Sequence, residues 1–513
     1  MQQSRSVRKS LAISLVNKYI QIGLQLVSFF VLARLLTPND IGLFAVASSA
    51  IGIAHVFREF GVGDYLIQEK KLTETKIATA FTITLLLGLT LFILLFLLAP
   101  RIADFYNDER LIDIFRLLSL NFLIIPLNST SFALIRREMR FGAVFWVEIL
   151  ASITSVAVAI ILSSLGYGYF SLVWSSLTNT LVSVLAVSFF MRGGLFHRIT
   201  LCEWKTVLSF GSQLTLTNIT GQISTNANDL ITGKLLGFAE TAIISRAQGI
   251  MYLFHRDITA TLRGVAFPAF ANGHREGRDI EQDYIKAVTN LTAFAWPFYG
   301  FFSLFPVEAL RLLFGPQWDQ AGSLVPWFCA GGASAATCSL IATLLPALGG
   351  IKYLVRLHFI VDPLRIITFI VVTYYFRTAE AFALVFLVFF TLPVPLLYYF
   401  KDQVLKTHYK QLIQGLLQSL VVSLFALAIP ASIAVLHYYD IGEVITQPFI
   451  DLQWMYKTPE QPYFKEWLII PIGLMMFPSW VLGLILVKHP LTKEILFKKI
   501  IYFKIGTLYA KQS

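Results

Sequence analysis

TVLSF GSQLTLTNIT GQISTNANDL ITGKLLGFAE TAIISRAQGI MYLFHRDITA TLRGVAFPAF, residues 206–270, is the stretch from which the rest of the chain is read. It predicts two apolar helices around a short turn at Gly237-Phe238-Ala239-Glu240, each long enough to cross a bilayer. Thr215, Asn218, Gln222, Thr225 and Asp229 fall at i, i+3, i+7, i+10 and i+14, one narrow polar stripe along the first helix. The second helix carries Arg246, then His255-Arg256-Asp257 near its middle, then Arg263. A charged side chain at the bilayer centre costs about 2.5–3.5 kcal/mol on insertion scales, so it should face a partner or water. The hairpin therefore borders a polar seam or a wet cavity.

The pattern occurs twice. Ser14, Lys18, Gln21, Gln25 and Ser28 form a matching stripe near the start of the chain. The turn Arg34-Leu35-Leu36-Thr37-Pro38-Asn39-Asp40 aligns with Lys234-Leu235-Leu236-Gly237-Phe238-Ala239-Glu240 at an offset of 200 residues. The first turn has a local explanation: Thr37 caps the following helix, Pro38 takes its first position and Asp40 reaches the free amides.

Composition places the hairpins in a membrane. With 56% hydrophobic and 14% charged residues, and long apolar runs from end to end, the chain reads as an all-α polytopic membrane protein. A transmembrane β-barrel alternates apolar and polar residues, which these runs do not. The net charge of +11 lies mostly in short loops, so it reports topology rather than a nucleic-acid groove. Cys202, Cys329 and Cys338 have neither metal-ligand nor disulfide-framework spacing. Arg5, Arg8 and Lys9 precede an apolar run without a cleavage site, a first span that is retained.

We place about fourteen spans, at 10–34, 40–62, 77–99, 114–134, 142–164, 169–191, 206–232, 240–268, 287–306, 321–347, 353–375, 380–400, 411–436 and 467–487. Alternate loops are basic (Lys70, Lys71 and Lys76; Arg136, Arg137 and Arg140; Arg275, Arg278 and Lys286), which puts both termini on the cytoplasmic side. The expected domains are a six-helix bundle over 1–198, a second over 199–405, and two further helices over 406–513 with a longer outer loop and a basic tail. Parallel repeats of this kind hold their substrate site between them. Trp454 in the loop reads as an interfacial anchor, and Lys498, Lys499 and Lys504 in the tail as a contact with anionic lipid.

Several intramembrane groups admit two readings. His55, Arg58 and Glu59 either pair among themselves near the inner surface or face a cavity. Arg246 shares a face with Asp257, and Arg256 shares the neighbouring one with Arg263; a salt-bridge ladder could hold one arginine, but three against the single Asp257 carboxylate leave excess positive charge for an anionic ligand. Glu148 is a lone carboxylate, and His358, Asp362 and Arg365 are spaced to bond one another; each is a structural network or a titratable coupling site. No P-loop, catalytic triad or metal grouping stands out.

Leu35-Leu36-Thr37-Pro38-Asn39-Asp40-Ile41-Gly42-Leu43-Phe44-Ala45 and Phe57-Arg58-Glu59-Phe60-Gly61-Val62-Gly63-Asp64-Tyr65-Leu66-Ile67-Gln68-Glu69-Lys70 resemble the opening signature of Wzx-like polysaccharide repeat-unit exporters of the MOP superfamily. Asn228-Asp229-Leu230-Ile231-Thr232-Gly233-Lys234 and Leu313-Phe314-Gly315-Pro316-Gln317-Trp318 resemble its second-half signatures, and the colanic-acid and teichuronic-acid branch is the most similar. Asp64-Tyr65 departs from the small residues usual there. The resemblance implies two six-helix bundles in a V-shaped arrangement with alternating access, in a bacterial inner membrane. It implies a flippase for oligosaccharide repeat units on undecaprenyl diphosphate, working with membrane lipid and with polymerase and export machinery, without nucleic acid. It needs no cofactor beyond H+ or Na+ as a coupling ion, and no metal.

On that reading Lys18, Arg58, Arg246, Arg256 and Arg263 would meet the diphosphate, and Gln21, Gln25, Asn218, Gln222 and Thr225 the sugars. Glu148, Asp229, Asp257, His358 and Asp362 are the ion-coupling candidates. A drug/cation antiporter of the same superfamily would need acidic rather than basic cavity groups. A membrane polymerase or glycosyltransferase would need long outer loops with catalytic residues.

Overall fold

The structure, a computed structural model, describes residues 2–191, 198–438 and 465–493. Trp454, the lysine-rich tail from residue 494 onward and the side chains of Asn218, Arg256 and Asp257 lie outside the described residues. Every regular element among the described residues is helical. In chain order these are α1 (Gln2–Leu35), α2 (Pro38–Glu59), α3 (Val62–Gln68), α4 (Glu74–Tyr106), α5 (Arg110–Arg137), α6 (Phe141–Ser164), α7 (Phe170–Phe190), α8 (Trp204–Leu235) and α9 (Phe238–Tyr252). A π-helical turn, Leu253–Ile258, leads into α10 (Thr259–Arg275), α11 (Ile280–Leu304) and α12 (Pro306–Phe314). A 3-10 segment precedes α13 (Val325–Ala336), α14 (Ile341–Ala347), α15 (Ile351–Phe376), α16 (Ala379–Thr391), α17 (Pro393–Asp402), α18 (Tyr409–Tyr438) and, after the undescribed loop, α19 (Ile469–Leu486).

Among the described residues ten helical stretches are long and apolar enough to cross a membrane. The other four expected spans, 206–232, 240–268, 287–306 and 353–375, are helical too, as α8, α9 with α10, α11 and α15. The polar stripe on α8, the arginines of α9 and α10 and the His358–Arg365 cluster on α15 lower the apolarity of those helices, and Asn290, Trp296, Pro297 and Tyr299 that of α11.

The chain divides into two compact units, Met1–Ala242 and Ile243–Ser513. In the first, the α1–α2 turn is built as its residues demand. Thr37 accepts from the Asp40 amide at 3.2 Å, Asp40 accepts from the Thr37 amide at 3.3 Å, and Pro38 opens α2. This reciprocal pair satisfies two amides that a helix start would leave bare. Small residues let α2 approach the start of α9 and α8 closely: a Cβ on Gly42 would lie 1.7 Å from the Phe238 carbonyl oxygen, and one on Gly233 2.3 Å from Val46. Polar side chains tie the other helices together, as Asn128 donating to Ser183 at 2.6 Å and Thr180 to Asn121 at 2.6 Å join α5 to α7.

In the second unit α18 and α19 pack on α11. The Trp480 indole donates to the Ala293 carbonyl at 2.8 Å, and buried Thr292, Ser419 and His489 form a hydrogen-bonded chain. Lys401, fully buried, meets Glu281 at 2.5 Å and Thr407 at 2.9 Å, while the Glu281 carboxylate also accepts from the His408 amide at 3.2 Å. A buried charge so fully bonded fixes the end of α17 to the start of α11.

Candidate substrate cavity

The first unit encloses a cavity of about 750 Å³, within the usual range for a small-molecule site. Its floor is an elbow. α2 ends on Arg58 and Glu59, and the backbone then turns through Phe60 and Gly61, at φ 37° and 61°, into the short α3. A left-handed phenylalanine is uncommon and needs support. That support comes from α8: a Cβ on Gly211 would sit 2.2 Å from the Phe60 carbonyl oxygen, so only glycine permits this approach. Arg137 on α5 holds the C-terminal end of α3 by donating to the Leu66 and Ile67 carbonyls at 2.5 and 3.1 Å.

The walls are polar. α2 and α3 bring Arg58, Glu59 and Asp64; α4 brings Thr84; α5 brings Asn128, Ser129, Thr130 and Arg136; α8 brings Thr215, Gln222 and Thr225. Arg58 is 6% exposed, and one of its terminal nitrogens lies 3.1 Å from Glu59, whose side chain is 69% exposed. Four buried atoms on these walls have no hydrogen-bond partner within the protein: Arg58 Nε, Asn128 Oδ1, Thr130 Oγ1 and Thr215 Oγ1. Leaving such a group unsatisfied costs about 1–3 kcal/mol.

The sequence candidates divide as follows. Arg58, Gln222 and Thr225 come together at the cavity. Lys18 and Gln25 are exposed on α1, and Gln21 accepts from Ser152 at 2.6 Å. Glu148 accepts from Asn17 at 2.6 Å and Asp229 from Ser49 at 2.8 Å. In the second unit Asp362 lies 3.1 Å from His358 and 3.5 Å from Arg365. Arg246 is buried over the rings of Trp318 and Phe314, at 4.9 and 5.5 Å. Arg263 is half-buried, with an Nε that has no hydrogen-bond partner within the protein.

A π-helical turn at Leu253–Ile258 sits between Arg246 and Arg263 and changes the helix register by about one residue. The α5 contribution was missed. Asn128, Ser129 and Thr130 interrupt an apolar helix, a signal that was present, while Arg136 was read only as a topology charge.

The chain matches the family described as polysaccharide biosynthesis protein over residues 31–323, more than half its length. It is 24% identical to the lipopolysaccharide biosynthesis protein WzxC of Escherichia coli (strain K12) over 65% of this chain and 68% of that one. It is 22% identical to the teichuronic acid biosynthesis protein TuaB of Bacillus subtilis (strain 168) over 58% and 62%, and 22% identical to the succinoglycan biosynthesis transport protein ExoT of Rhizobium meliloti (strain 1021) over 68% and 70%. Among solved structures, the lipid II flippase MurJ in an inward closed conformation superposes with a TM-score of 0.70 at 14% identity, covering 96% of this chain and 99% of that one. An inward-facing MATE family transporter of the MOP superfamily gives 0.61 at 13% identity, over 77% and 98%. The fold is that of these transporters, in a multi-pass membrane protein.

Proposed function

We propose a transport function from one premise: the chain belongs to the polysaccharide biosynthesis protein family. It turns an oligosaccharide repeat unit, carried on undecaprenyl diphosphate, from the inner to the outer leaflet for polymerisation. The observation that carries this reading is the polar cavity of the first unit, lined by Arg58, Asn128, Gln222 and Thr225 inside an otherwise apolar helical protein. Such a lining suits the headgroup of a lipid-linked sugar, whose tail stays in the bilayer. Relatives named for lipopolysaccharide, teichuronic acid and succinoglycan biosynthesis point to the same cargo class.

The alternation of basic loops supports a bacterial inner-membrane orientation with both termini in the cytoplasm. The cavity lies at the end of the unit that carries Lys70, Lys71 and Arg140, the cytoplasmic end on this reading. Coupling to H+ or Na+ falls to Glu148 or Asp229, each held by a neutral partner, Asn17 or Ser49. Transport whose pH and sodium dependence survives Glu148→Gln and Asp229→Asn would remove both.

The test is chemical analysis of lipids from cells lacking the chain. Undecaprenyl-diphosphate repeat units should accumulate on the inner leaflet and disappear when the gene is restored. A lipid profile identical to that of the parent would refute the proposal.

A further inference from the structure

One span of the second unit is broken where its sequence does not require a break. Val325–Ala347 is a single apolar stretch long enough to cross a bilayer. Yet α13 ends at Ala336 and α14 begins only at Ile341. Sharp interruptions of a helix trace to proline, to glycine, or to a side chain that enters the hydrogen-bond ladder. Between Gly332 and Pro346 there is neither proline nor glycine, and Thr337-Cys338-Ser339-Leu340 contains no residue that forbids a helix.

Side chains from two neighbouring helices occupy the ladder instead. The Thr337 amide bonds to the Ser334 carbonyl, three residues back, and the Ala333 carbonyl accepts from the Trp296 indole at 3.0 Å. The Ile341 amide bonds to the Cys338 carbonyl at 2.9 Å, and the Thr337 carbonyl accepts from the Tyr398 hydroxyl at 2.7 Å. Tyr284 donates to that hydroxyl at 3.2 Å, and both tyrosines are buried. Inside a bilayer a freed carbonyl needs such a partner. The interruption at Pro297 in α11 is of another kind. Proline has no amide to offer the Ala293 carbonyl, which accepts from Trp480 at 2.8 Å, so that gap cannot close. The gap between α13 and α14 can close by exchange of partners. Ala333 and Thr337 then accept from the amides of Thr337 and Ile341, and Trp296 and Tyr398 let go.

We propose that residues 337–340 form a reversible joint, held open by Trp296 and Tyr398, which straightens α13 and α14 into one helix during the transport cycle. Straightening redirects α14 against α13 and gives the second unit two shapes. The part played in a cycle rests on the transport reading; the joint itself does not.

The experiment measures spin-label distances in the full chain in nanodiscs. The background is Cys202→Ser, Cys329→Ala and Cys338→Ser, and the labels sit on Ala330→Cys and Leu348→Cys, on either side of the joint. A continuous helix puts these positions about 27 Å apart. Ile341→Pro defines the broken form, because proline suits the first position of α14 but removes the amide that a straight helix offers to Thr337. The chain already places a right-handed leucine before a helix-opening proline at Leu392–Pro393. The wild type should show the distance of the broken form and a second population at the straight-helix distance. Tyr398→Phe should enlarge that second population about threefold to tenfold. In cells, Ile341→Pro should reach the membrane in normal amount and lower polymer export at least about tenfold.

One distance distribution shared by the wild type and Tyr398→Phe would make the break permanent and overturn the joint, whatever the chain transports. Full export by Ile341→Pro would overturn its part in the cycle. If Ile341→Pro fails to fold, the comparison of the wild type with Tyr398→Phe decides alone. The distances are read without cargo, so a lack of lipid-linked intermediates in cells without the chain would end the transport reading and leave the joint standing.

Discussion

Arg58 in the first unit and Arg246 in the second are equally buried, at 6% exposure, and both lie on helices that follow the repeated hairpin turns. Their surroundings differ. Arg246 lies over Trp318 and Phe314, two rings that are themselves fully buried and belong to the second-half signature. Arg58 stands at the wall of a cavity, with a carboxylate on one side. A buried arginine is thus a packing element when aromatic faces take up its charge, and a binding element when its donors meet a cavity. The residue type does not decide between these; the environment does.

Lys401 calibrates the structural extreme. Lys401→Ala would leave the Glu281 carboxylate buried without its cation, at a cost of about 3–5 kcal/mol. Little folded protein should survive extraction, whereas joint replacement of Lys401 and Glu281 by methionine should recover much of it. Next comes Arg246→Ala, which removes packing and a desolvated cation–π contact worth about 2–3 kcal/mol together. The expected result is a lower unfolding temperature of the purified protein and reduced abundance, with transport per folded molecule retained. Full stability with lost transport would make Arg246 a ligand contact and erase the contrast.

Arg58→Ala should do the reverse: abundance unchanged, polymer export reduced roughly tenfold to a hundredfold, as about 1.5–3 kcal/mol of charged hydrogen bonding is lost. Immunoblot and polymer quantification in the same cells separate the two effects. The smallest effect is at the turn. Thr37→Ala removes a capping box for about 1 kcal/mol, read as a small fall in unfolding temperature. A fall in export beyond the loss of protein would show that the turn also touches cargo.

Much of this was legible along the chain. The capping of α2 follows from Thr37, Pro38 and Asp40 alone, because it is settled within one helical turn. The polar stripe on α8 delivered Gln222 and Thr225 to the cavity, since period and face are properties of a single helix. The bonds among His358, Asp362 and Arg365 also obeyed local spacing. What stayed hidden depends on several helices at once. Gln21 belongs to the same kind of stripe as Gln222, yet α6 supplies Ser152 to occupy it. Arg246 finds aromatic partners about seventy residues away, and the π-helical turn within Leu253–Ile258 carries no sequence signature. The cavity itself gathers α2, α3, α4, α5 and α8, and no spacing within one of them encodes that convergence.

The most direct measurement is translocation by the purified chain in vesicles loaded with the lipid-linked intermediate from cells lacking it. Accessibility of the glycan to an external glycosidase should rise with time in vesicles holding the wild-type chain, and at least about tenfold more slowly with Arg58→Ala. Equal rates in empty vesicles, or no difference between wild type and Arg58→Ala, would contradict a transport path through the first-unit cavity.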